Sequence, residues 1–212
     1  MASPKPRPSP LSLAVLSLLG MEPLHPYGIQ RLLKLWGKEE VVNVGQRANL
    51  YRTIDRLQEA GLITVRLTER EEQYPERTVY ELTEEGRREA RSWLLEMLST
   101  PRNEFPVFPA ALSFVPGLTP QELLAALESR AGLLRATLDR IEGEESGESA
   151  PLPRVTLLDD EYRREVTAAE LRWVTGLIGE LRAGTLTWDE KQLRGLATSY
   201  AADPSGDAGA SG

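Results

Sequence analysis

The 212-residue chain is long enough for one large domain or two small ones, and its 41% hydrophobic and 27% charged residues suit a packed core under a soluble surface. With no cysteine and a single histidine, His25, it excludes disulfides, thiolate metal sites and histidine clusters, and no apolar run approaches the roughly 18 residues of a bilayer span. The net charge of −7 is unevenly divided: residues 1–83 hold 11 Lys and Arg against 10 Asp and Glu, and residues 84–212 hold 14 against 22.

Residues 1–10, MASPKPRPSP, carry two basic residues but no signal-peptide apolar stretch, so a disordered arm on a cytoplasmic, non-membrane protein is expected. From Pro10 the run LSLAVLSLLG predicts a buried helix ending at Gly20. Pro23 and Pro26 make the next residues a turn, in which His25 is a turn residue rather than a ligand. A second helix is predicted over Pro26–Trp36, with Ile29, Leu32, Leu33 and Trp36 at helical spacing and Gly37 as its stop.

The third helix, Gln46–Ala60, is the informative one. At about 100° per residue, Leu50, Ile54 and Leu57 fall within an arc of about 60° that faces a core. Asn49, Arg52 and Arg56 lie opposite, and Gln46 and Arg47 stand at the helix start, where small Gly45 and Ala48 permit close approach to another surface. Many surface helices set a few arginines against an apolar stripe. Here the order matters more: two short alternating runs follow, Ile63–Leu67 and Thr78–Leu82, joined by the charged loop TEREEQYPER. Three helices and a hairpin in that order describe a winged helix-turn-helix, which lays its third helix in the major groove of DNA. The loop holds Glu69, Glu71, Glu72 and Glu76 against Arg70 and Arg77, so few phosphate contacts are expected from it.

Thr83 begins the next helix as N-cap, with Glu84 and Glu85 complementing its dipole, and the helix runs to about Leu98 before Pro101. A short helix is predicted around Pro109–Phe114. Thr119-Pro120-Gln121-Glu122 is a capping-box start for a helix to about Glu142. GEESGESAPLP reads as a solvated linker, and a last long helix spans about Leu158–Arg182, with Tyr162, Val166, Ala169, Trp173, Leu177 and Leu181 at helical spacing. The tail ADPSGDAGASG should be disordered. The expected fold is thus mainly α with a small β-hairpin wing. Its parts are a disordered arm over 1–10, a winged-helix domain with its linking helix over 11–100, a helical dimerisation domain over 101–195 and a disordered tail over 196–212.

Three stretches resemble the PadR family of bacterial transcriptional regulators: LAVLSLLGMEPLHPYGI, which includes Tyr27, ANLYRTIDRLQEAGLI and RTVYELTEEGRR. A fourth, EYRREVTAAELRWVTGLIGEL, is loosely similar to the late helix of its longer members. The resemblance implies a homodimer whose C-terminal helices pack on the partner and set two reading heads on a palindromic operator. It also implies repression of transcription, with release in some members by small aromatic or drug-like effectors. Two positions depart from the family pattern: Arg52 stands where a proline is frequent, and His25-Pro26 replaces His-Gly.

On this reading Gln46, Arg47 and Asn49 reach base edges, because Arg matches guanine and Asn or Gln match adenine through paired bonds. Arg52, Arg56, Arg70 and Arg77 bind phosphate, which positions without specifying sequence. Tyr51 either reaches a phosphate with its hydroxyl or packs beside Leu50. Trp93, Phe105, Phe108, Phe114 and Trp173 either line an aromatic-friendly effector cavity or serve as plain core and interface packing. No phosphate loop, nucleophile elbow or metal-ligand cluster is present, so neither an enzyme nor a cofactor is expected. The competing class is a winged-helix protein–protein adaptor without specific DNA binding, favoured by the acidic wing and opposed by Arg47, Arg52 and Arg56.

Overall fold

Caps fix the helix starts. Ser9 opens α1 (Pro10–Leu19) by accepting the Ser12 N–H on its hydroxyl oxygen at 3.1 Å. His25, expected only as a turn residue, does the same for α2 (Pro26–Leu35), where its Nδ1 accepts the Gly28 N–H at 2.7 Å. The computed structural model describes residues 6–45, 47–69, 77–145 and 153–189. It divides at residue 103 into two units, three residues beyond the boundary expected from sequence.

In the first unit α3 (Arg47–Glu59) ends in a left-handed Gly61 at φ +71°. There the Leu62 N–H donates to the Leu57 carbonyl and the Gly61 N–H to the Gln58 carbonyl, both at 2.9 Å. This two-bond closure satisfies carbonyls that a helix end otherwise orphans, and glycine adopts the required backbone without strain. The chain turns straight into β1 (Ile63–Glu69), which pairs antiparallel with β2 (Arg77–Leu82). Leu24, ahead of α2, adds a third rung by exchanging backbone bonds with Tyr80 at 3.0 and 2.9 Å.

The register slips between Val65 and Leu67, so Arg66 is an extra residue with no partner on β2. The expected half-buried alternation of Ile63, Val65 and Leu67 fails after its first member. Ile63 is 1% exposed, but Val65 and Leu67 are 38% and 40% exposed.

Thr83 caps α4 (Glu84–Ser99) and ties it to the end of α3. Its hydroxyl accepts the Gly86 N–H at 3.0 Å and donates to the Gly61 carbonyl at 2.8 Å, while its own N–H donates to the Leu62 carbonyl at 3.1 Å. Gly86 lies so close that a Cβ there would sit 1.9 Å from the Leu62 carbonyl oxygen. The core gathers Val15 and Leu16 of α1, Ile29 of α2, Ile54 and Leu57 of α3, and Trp93 of α4. Trp36, expected on the core stripe of α2, follows that helix as its cap and is 43% exposed.

The second unit begins with α5 (Val107–Leu112), two residues ahead of the expected Pro109–Phe114, and a single 3-10 turn over Val115–Gly117 follows it. Two long helices, α6 (Pro120–Glu145) and α7 (Leu158–Ala183), run antiparallel. Leu127, Ala131, Val174 and Ile178 fill their seam, and Arg182 bonds to Glu128 at 2.7 Å beside it. The expected capping box is present at the start of α6: Glu122 accepts the Thr119 N–H at 2.8 Å, and the Thr119 hydroxyl oxygen accepts the Glu122 N–H at 3.2 Å. Of the expected α7 stripe, only Leu177 and Leu181 turn toward the seam. Tyr162, Val166, Ala169 and Trp173 are exposed along one side. No helix among the described residues is long and apolar enough to cross a membrane. The expected arm and tail fall largely outside the described residues, although Pro10 already belongs to α1.

Candidate nucleic-acid interface

The orientation of α3 follows from its apolar side. Leu50, Ile54 and Leu57 are 1%, 1% and 0% exposed, and each such burial is worth about 1.5–3 kcal/mol. Polar contacts along the helix surface are worth a few tenths of that, so the core decides which residues face outward. Arg47, Tyr51, Arg52 and Arg56 are exposed and Asn49 is half-buried.

Arg52 and Asn49 do not act independently. The Arg52 guanidinium donates through Nη2 to the Asn49 Oδ1 and through Nε to the Ala48 carbonyl at 3.2 Å. Arg52 is thereby laid back along the first turn of α3, and one of the two lone pairs of the Asn49 oxygen is taken. The bond couples the orientation of the Asn49 amide to that of the Arg52 guanidinium. Tyr51 is 50% exposed and flanks the hairpin. Burial beside α3, together with Asp55 and then Tyr51, pushes the Tyr80 phenol above its ordinary range.

A second group of residues escaped the sequence reading. Tyr27, Arg31 and Lys34 recur along one side of α2, opposite buried Ile29 and Leu33. With Glu39 and with Arg47 of α3 they line a concavity of about 420 Å³. Three cations against one carboxylate make this the basic hollow of the first unit, at the junction where the first helix of such a motif crosses the DNA backbone. The 3.6-residue spacing of Tyr27, Arg31 and Lys34 was legible, but attention to the apolar stripe hid it.

On the wing, Arg66 is brought outward by the bulge and lies 3.9 Å from Glu81 across the strands, a partly screened surface pair of small energy. Arg77 opens β2. Gln46 and Arg70 lie outside the described residues, as does the acidic run Glu71, Glu72 and Glu76.

The chemistry and the topology converge on one fold, and residues 15–92 match the model of the transcriptional regulator PadR-like family. The first unit has the fold of a PadR-like winged helix. Among solved structures the chain is similar to Bacillus subtilis PadR in complex with operator DNA, at 22% identity and a TM-score of 0.64 over 81% of this chain and 98% of that one. It is similar to the same protein in complex with p-coumaric acid at 20% identity and a TM-score of 0.67, with the same coverage. The Vibrio cholerae virulence activator AphA matches at 20% identity and a TM-score of 0.60, over 82% of this chain and 98% of that one. At such identities the likeness is one of fold, and its coverage carries it past the PadR-like unit into the helices of the second. No curated protein sequence matches the chain.

The aromatic residues expected to line an effector cavity separate. Trp93 is 4% exposed in the core of the PadR-like unit: its indole fills space between α4 and the first three helices and cannot line a cavity in the second unit. Phe105 and Phe114 are 81% and 78% exposed. Phe108 and Trp173 do meet, edge to face, with ring centroids 6.1 Å apart. Among the described residues no group of three or more His, Asp or Glu side chains is arranged to hold a metal.

Proposed function

We propose that this protein is a sequence-specific DNA-binding regulator of transcription that acts as a homodimer, represses from a palindromic operator in the cytoplasm, and is released by a small-molecule effector. The exposed face of α3, joined to the basic hollow of α2, carries this reading, because it puts Arg31, Lys34, Arg47, Arg52 and Arg56 on the outer surface of one PadR-like unit. Arg47 reads a base edge, with Gln46 and Asn49 completing the reading end. Arg31, Lys34, Arg52 and Arg56 neutralise phosphates, and Arg66, Arg70 and Arg77 supply what the wing offers.

The open side of α7 supports the dimer. Tyr162, Val166, Ala169 and Trp173 lie within an arc of about 60°, away from the seam with α6. An apolar stripe of that kind is covered when a second copy packs against it. Two copies then hold their α3 helices about 34 Å apart, one turn of DNA. The operator-bound and p-coumaric-acid-bound relatives support the DNA and effector parts of the reading.

A salt titration of binding to the protein's own promoter DNA tests it. Affinity should fall steeply with salt and be abolished when Arg47→Ala is combined with Arg52→Ala. Binding no tighter than to random DNA on every promoter fragment would return the chain to the protein–protein adaptor class.

A further inference from the structure

An asparagine amide carries a donor and an acceptor that a half-turn about its last bond exchanges. A free amide can therefore meet different base edges by turning, whereas a held one discriminates between them. On α3 the guanidinium of Arg52 holds Asn49. Arginine donates and never accepts, so the amide atom facing Nη2 is the oxygen Oδ1, and Nδ2 lies on the other side of the amide.

The holding group is itself fixed. Arg52 Nε donates to the Ala48 carbonyl at 3.2 Å while Nη2 donates to Asn49, so one planar fork spans two acceptors in the first turn of α3. The exposed Asp55 stands three residues further on, at a spacing that helices use for ion pairs. Among the described residues Arg52 has no bond to it and turns back toward the reading end instead. Asn49 is half-buried, and among the described residues its Nδ2 and the second lone pair of Oδ1 have no partner. Those two groups are the ones that adenine N7 and N6–H require. A cation on the oxygen also polarises the amide and strengthens donation from Nδ2. Arg56, on the same outer face, has no side-chain partner among the described residues. It supplies the contrast, a cation that neutralises charge and holds nothing.

We propose that Arg52 is a positioning residue for base reading: it holds the Asn49 amide in the orientation that matches adenine, and so sets specificity at a base pair it does not itself contact. The proposal rests on the reading of α3 as the DNA-reading helix, and it gives Arg52 a second task beside its phosphate contact.

Selection by the full-length protein on a randomised duplex library gives its preferred site. Fluorescence anisotropy on that duplex and on its single-pair variants then gives the preference at each position. Asn49→Ala identifies the base pair concerned, which should be A·T and preferred by about tenfold or more. Arg52→Ala should cut that preference to about threefold or less and leave every other position unchanged. Arg52→Lys keeps the charge but not the fork, so the salt slope should stay at the wild-type value while the same single preference falls. Arg56→Ala should weaken all duplexes alike, lower the salt slope by about one and leave the preference intact. With Asn49→Ala already in place, Arg52→Ala should remove no further preference at that pair. The variants are matched for helical signal by circular dichroism, so that a disturbed α3 is not mistaken for a released amide. An unchanged preference in Arg52→Ala or Arg52→Lys, a loss spread over all positions, or a pair other than A·T opposite Asn49 overturns the proposal and leaves the regulator reading standing. A library that yields no preferred site overturns both.

Discussion

In the first unit α1, α2 and α3 turn their large apolar side chains into one core around Val15, Leu16 and Ile29, whereas α7 in the second unit turns Tyr162, Val166 and Trp173 outward. The first unit also braces its core with polar closures, through Thr83, Gly61 and the backbone of Leu62. The second relies on one seam between two long helices and on surface ion pairs. The difference teaches where each unit finds its stability: one is closed by its own chain, and the other keeps apolar surface for something else to cover. Even the first unit follows the rule at its far end, where Leu94, Leu95 and Leu98 of α4 are exposed.

The sharpest way to break the contrast is Gly86→Ala. The added Cβ would sit 1.9 Å from the Leu62 carbonyl oxygen and 2.8 Å from Leu82 Cδ1, and neither the strand start nor the cap can retreat without losing its bonds. A loss of about 3 kcal/mol or more is expected, seen as collapse of the first unit's unfolding transition in urea followed by circular dichroism. An unchanged midpoint would show that the Thr83 closure is slack.

Trp173→Glu and Val166→Glu together should break the other side of the comparison. A charge on each of two stripe positions should weaken self-association by about 2–4 kcal/mol, read as a shift from dimer to monomer in sedimentation equilibrium. The helical signal of α6 and α7 should persist, because Val174 and Ile178 still fill the seam. Persistence of the dimer would assign the stripe some other cover.

Within the basic face the effects are smaller and differ in kind. Arg47→Ala should cost about 1–3 kcal/mol on the operator and relax preference at one base pair. Arg31→Ala or Lys34→Ala should weaken all sequences alike and lower the salt slope by about one each. Equal relaxation of sequence preference by Lys34→Ala would remove the distinction between the reading end of α3 and the hollow of α2.

How much of this was legible in the sequence depended on whether the signal was local. Two caps were legible because a capping motif is a matter of a few adjacent residues: Thr83 before Glu84 and Thr119 with Glu122 both behave as their spacing predicts, whereas His25 was read only as a turn residue. The core side of α3 was legible because three residues at one periodicity suffice. The bulge at Arg66 was not, since it depends on which β2 residue each β1 residue meets. Gly86 gave no warning either, because its constraint is a carbonyl 24 positions earlier in the chain. Trp93 stayed open between cavity and core for the same reason: an aromatic residue on an amphipathic helix suits either, and only packing in the core of the first unit decides. The polar pair Arg130 and Glu170, 40 residues apart, depends on the register of two helices that no local pattern encodes.

The capping box and a surface pair at the helix starts of the second unit give the mildest test of how lightly that unit is fastened. Two bonds from Thr119 hold the Glu122 carboxyl below its ordinary range, and Arg154 does the same for Glu161 at the start of α7, through a bond of 2.7 Å. A carboxyl whose folded value is depressed binds protons more readily when unfolded. Its contribution is therefore complete above the ordinary carboxylate range and is lost as pH falls through the lower, folded value. Glu122 is exposed and the Glu161 side chain is 36% exposed, so solvent screens both pairs and the effect is small and salt-sensitive. Thermal unfolding of wild type and of Glu122→Ala combined with Glu161→Ala should differ at neutral pH and converge in acid. If the variant is instead the more destabilised of the two in acid, the carboxylates are not what fastens these helix starts, and the seam between α6 and α7 must hold them alone.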